Sequence, residues 1–92
     1  MIATETDEAS LAVEALAVAA LYSESLPQLV RWEAEGYQQV IEESPEAVLS
    51  ALLTLTKRLA LLQAETNGIP EENRADAAAY AVRSLMRGIR SS

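Results

Sequence analysis

The sequence contains no cysteine and no histidine. Disulfide frameworks, thiol nucleophiles, thiolate or imidazole zinc sites, histidine-based triads and imidazole pH switches are therefore excluded together. Glycine and proline number three each. Neither GxGxxG nor GxxxxGK[ST] occurs, so there is no phosphate-cradling glycine loop, and GxSxG and HExxH are missing too. Aromatic residues make up 4% of the chain, and no stretch alternates apolar with polar residues over a useful length, so strands are not expected. Positive charge is also sparse, with seven bases against fourteen acids and a net charge of −7. Such a chain is a poor general ligand for nucleic acid, because neutralising phosphates takes clustered cations. The longest near-apolar run, Leu11 to Tyr22, is interrupted by Glu14 and falls short of the ~20 residues that span a bilayer. The acidic start is the opposite of the positive n-region of a secretory leader. These features predict a cytoplasmic chain with no membrane partner.

What is present is a helix-forming chain. Its 92 residues are 50% hydrophobic, enough to fold but with a thin core: scaling gives roughly 14,000 Å² unfolded and roughly 5,000 Å² for a compact monomer. Start and stop signals divide the chain into four helices, at about 6–24, 26–43, 45–66 and 70–89. Asp7 and Glu8 suit the first turn of the first helix. Ser25 with Gln28 three residues later reads as a capping box, and Pro27 fits a first turn. Ser44 and Pro45 open the third helix, and Asn67-Gly68 supplies its left-handed stop. With such short connections the expectation is an all-α, compact four-helix bundle-like domain over residues 1–92.

At about 100° per residue the four helices make different demands. The fourth is cleanly amphipathic, with Ala75, Ala78, Ala79, Val82, Leu85, Met86 and Ile89 opposite Arg83, Arg87 and Arg90. The second has one apolar stripe, from Leu26 and Leu29 to Val40 and Ile41. The third is apolar almost all round, with Leu61 standing inside its main polar stripe. The first carries two apolar ridges on nearly opposite sides, Leu11-Ala15-Val18-Tyr22 and Ala9-Val13-Leu16-Ala20. A monomer of this size has no centre large enough for two such helices, and monomers seldom expose contiguous apolar patches beyond a few hundred Å². Association is expected, with Val13, Leu16 and Leu61 among the contacting residues.

Other residues stand out by type and position. Trp32, beside Gly36 and Gln39, is the type that anchors interfaces; the plainer reading is a half-buried core edge. Glu33 falls inside the apolar stripe of the second helix. An unpaired carboxylate there is costly, so it either serves a partner or a reaction, or forms a buried ion pair with Arg74. Arg83, Arg87 and Arg90, with Tyr80 at their head, can grip phosphate or an acidic partner, or simply compensate a helix C-terminus. Glu42, Glu43 and Glu46 straddle the turn between the second and third helices. Nothing there resembles a twelve-residue calcium loop, so no metal is expected.

Charge is uneven along the chain. Residues 1–46 hold ten acids and one base, and residues 47–92 hold six bases and four acids. The resulting expectation is a non-catalytic, acidic helical interaction protein without cofactors. It self-associates or docks on another protein, as an adaptor, assembly factor or inhibitor, through Ala/Leu faces. The alternatives are a nucleic-acid-associated regulator using the arginine stripe, or an acidic mimic of DNA that blocks a DNA-binding protein.

Overall fold

The computed structural model describes residues 5–91, and every regular element among them is helical. The α-helices are α1 (Glu5–Tyr22), α2 (Leu26–Trp32), α3 (Gln38–Glu43), α4 (Pro45–Thr66) and α5 (Arg74–Ser91). Single 3₁₀ turns occupy Ala34–Tyr37 and Glu71–Asn73. The protein is all-α. It divides into two compact units, residues 1–53 and 54–92, with the division falling inside α4.

In the first unit α1 lies against α2 and α3. Its buried residues are Ala9, Ala12 and Val13 of α1, Leu29 of α2, and Ser44. The turn after α1 is built from serines. The Ser23 hydroxyl donates to the Ser25 carbonyl (2.9 Å) and accepts from the Ser25 N–H (3.2 Å). Ser25 is the N-cap of α2, its hydroxyl accepting from the Gln28 N–H at 3.4 Å. That is half of the expected capping arrangement.

The helix expected over 26–43 is not continuous. It stops at Trp32, passes through a 3₁₀ turn and restarts at Gln38. The Glu33 N–H closes α2 on the Leu29 carbonyl (2.8 Å), and the Glu33 carbonyl accepts from the Gly36 N–H (3.2 Å), a tighter three-residue step. Tyr37, at φ −116° and ψ 12°, has left helical geometry. Gly36 gives the local reason: glycine inside a helix costs about 1 kcal/mol relative to alanine, and short 3₁₀ segments are the usual way to absorb such a weakness.

Ser44 joins α3 to α4 through its backbone, its N–H donating to Val40 (2.8 Å) and its carbonyl accepting from Val48 (3.1 Å). Only one residue of α4, Ala64, is buried. By length and composition α4 could cross a membrane. Lys57 and Arg58 divide its apolar stretch into two shorter runs.

In the second unit α4 ends in the predicted left-handed stop. Gly68 has φ 79°, the Gly68 N–H bonds the Glu65 carbonyl, and the Ile69 N–H reaches back to Ala64, both at 3.0 Å. This pair of bonds satisfies carbonyls that the helix end leaves open. The chain then turns through Pro70 and the second 3₁₀ turn into α5, so the helix expected from residue 70 begins its α-helical part at Arg74.

Candidate interaction surface

The expected partner-binding residues divide once they are placed on the fold. On α1 the ridge containing Val13 faces inward. Val13 is 7% exposed, and Leu16 is half-buried on the same side. The other ridge faces solvent, with Leu11, Val18 and Tyr22 at 50–84% exposure. Val13 is therefore core rather than contact surface, and the accessible ridge of α1 is the opposite one. The sequence shows two equivalent ridges on this helix. Which one turns inward is decided by the packing of α2 and α3, a tertiary fact.

Glu33 is exposed, so the buried carboxylate expected in an apolar stripe is not found. That stripe requires a continuous helix, and the 3₁₀ turn beginning at Ala34 disrupts it. Arg74 is half-buried, and its Nε–H donates to the Ile69 carbonyl at 2.9 Å. With Glu33 in solvent, the expected buried pair with Arg74 lacks its buried carboxylate. Trp32, at the end of α2, is 64% exposed. It belongs to the surface and not to a core edge.

The dominant feature is α4. Leu49, Leu52, Leu53, Leu59 and Leu62 are 46–59% exposed. At 100° per residue these leucines, with Val48, Leu55 and Ala60, occupy an arc of about 180° that contains no charged residue. The charges of α4, Glu46, Lys57, Arg58 and Glu65, all lie on the remaining side. Val48, Leu52, Leu55, Leu59 and Leu62 follow each other at alternating steps of four and three, the spacing of a helix–helix seam.

Leu61 projects on the charged side of α4, where it lines an open groove of about 220 Å³ with Ala60 and, from α5, Ala75, Ala78, Ala79 and Val82. It is half-buried there. Beyond Val82 the apolar face of α5 continues into solvent through Leu85, Met86 and Ile89, at 41–67% exposure. Tyr80, Arg83, Arg87 and Arg90 are exposed on the other side of the same helix.

Two acidic residues of α3 are tied to glutamines of the same helix. Glu42 accepts from Gln38 Nε2 at 2.8 Å, and Glu43 from Gln39 Nε2 at 3.4 Å, both within α3. Among the described residues no three acidic side chains converge as ligands of one cation would. The surface thus offers apolar helix faces edged with charge. Comparison of the chain with protein-family models, with curated proteins and with solved structures finds no match.

Proposed function

We propose that this chain is a non-catalytic, cytoplasmic helical interaction protein that associates with itself through its apolar helix faces. The observation that carries the reading is the exposed, charge-free leucine face of α4. Leaving several half-exposed leucines in water is unfavourable by about 25 cal/mol per Å², and the seam spacing suits a second helix laid along them. Association completes the bundle-type packing that the chain's hydrophobic content calls for. The outer ridge of α1 and Trp32 extend the apolar surface available to a partner.

α4 is better suited to a protein interface than to a bilayer. Lys57 and Arg58 lie near its middle, where each charge costs on the order of 2.5–3.5 kcal/mol in a membrane. At a protein interface both remain on the hydrated side of the helix. Sedimentation velocity tests the reading by comparing the wild-type chain with the double variant Leu49→Glu/Leu59→Glu, helical content being checked by circular dichroism. The wild type is expected to sediment as an oligomer and the helical double variant as a monomer. Identical sedimentation of the two proteins contradicts the proposal.

A further inference from the structure

Apolar faces supply area but little orientation, so the charges beside them decide how two copies meet. Two segments have opposite composition. Residues 77–91 carry Arg83, Arg87 and Arg90 and no acid, and residues 24–46 carry six acids and only Arg31. All three arginines and all six acids are exposed. The second segment also shows exposed apolar side chains among its charges, Val30 and Trp32, whereas the exposed apolar residues of α5 lie on the face away from the arginines. In the second segment a groove of about 370 Å³, lined by Val30, Arg31, Ala34, Glu35, Gln38 and Ile41, lies over the α2–α3 break.

We infer that the arginine stripe of α5 docks on the acidic α2–α3 segment of a second copy of this chain, fixing the register of the association proposed above. The inference rests on that proposal. The arginines meet the exposed carboxylates of that segment, Glu35 at the groove among them. Nucleic acid is a weaker occupant for the stripe, because the remainder of the chain is strongly acidic and repels phosphate. The same repulsion disfavours an anionic membrane. A second copy carries the required counter-charge itself, and reciprocal docking lets one pair of surfaces serve both molecules.

Reciprocal charge reversal tests this on the full chain. One variant carries Arg83→Glu/Arg87→Glu/Arg90→Glu and the other Glu33→Lys/Glu35→Lys/Glu42→Lys, all at exposed positions. Each alone is expected to self-associate at least about tenfold more weakly than wild type, and an equimolar mixture to recover association as a mixed oligomer. Wild-type association is also expected to weaken between about 50 mM and about 500 mM salt.

The second variant separates specific docking from general repulsion. It brings the chain close to neutrality, so a mere net-charge effect strengthens its self-association, whereas docking on the acids weakens it. Strengthened association of that variant, no recovery on mixing, or salt-independent wild-type association overturns the inference while leaving the leucine interface in place. Unchanged self-association of the arginine variant, with duplex DNA bound by wild type and lost in that variant, overturns it in favour of nucleic acid. A monomeric wild type removes the underlying proposal instead.

Discussion

Arg74 and Ile69 fasten the start of α5 to the end of α4, with the Arg74 Nε–H donating to the Ile69 carbonyl at 2.9 Å. Ile69 is held from its other end as well, through its N–H bond to Ala64 at 3.0 Å. One residue thus carries both the helix stop and the tie to the next helix. Replacing Arg74 with alanine removes a charge-assisted donor at a half-buried site. The expected loss is about 1 kcal/mol of unfolding free energy, measured as a lower urea midpoint at unchanged slope.

Gly68 gives a sharper test of the same turn. Nothing lies within 4 Å of where its Cβ would stand, but its φ of 79° is one that residues with a side chain adopt only under strain. Gly68→Ala is expected to destabilise by about 1 kcal/mol for that conformational reason alone. A urea titration reads it, and an unchanged midpoint contradicts the assigned stop.

Gly36 behaves in the opposite way. It too has open space around it, and its backbone needs no positive φ. Gly36→Ala is expected to stabilise the chain by about 0.5–1 kcal/mol, by reducing unfolded-state freedom and favouring helix across the α2–α3 break. A rise in both the urea midpoint and the far-ultraviolet helical signal is the expected result. A loss of stability contradicts the assignment of Gly36 as the weak point.

The two ridges of α1 separate by mutation. Val13→Ala, in the buried ridge, is expected to cost about 1–2 kcal/mol of stability. Val18→Ala, in the exposed ridge, is expected to change stability by less than about 0.5 kcal/mol. Chemical unfolding of the two variants under dissociating conditions compares them directly, and equal losses contradict the inward orientation of Val13.

The parts of this architecture that depend on local chemistry were legible in the sequence. Pro45 through Thr66 forms one helix as expected, because Ser44-Pro45 and Asn67-Gly68 act on their own neighbours. Ser25 caps α2 for the same reason. The break at Glu33–Tyr37 is not legible in the same way. One glycine in a long amphipathic pattern is often tolerated, and whether it breaks the helix depends on what the helix packs against. The burial of Glu33 failed with it, since the apolar stripe existed only on an unbroken helix. The choice between the ridges of α1 was also out of reach: Val13 and Val18 are the same residue type on one helix, and only the position of α2 and α3 tells them apart. The excess of apolar surface on α4 was visible from the even spread of its leucines. The width of its charge-free arc sharpens that reading into a particular face.

The central claim is that this chain associates with itself, and its molar mass in solution tests that most directly. Light scattering behind a sizing column, at two protein concentrations and two salt levels, gives the mass without reference to shape. The account predicts an integral multiple of 9.9 kDa, at least a dimer, whose population falls on dilution or at high salt. A mass of 9.9 kDa at the higher concentration and lower salt contradicts it.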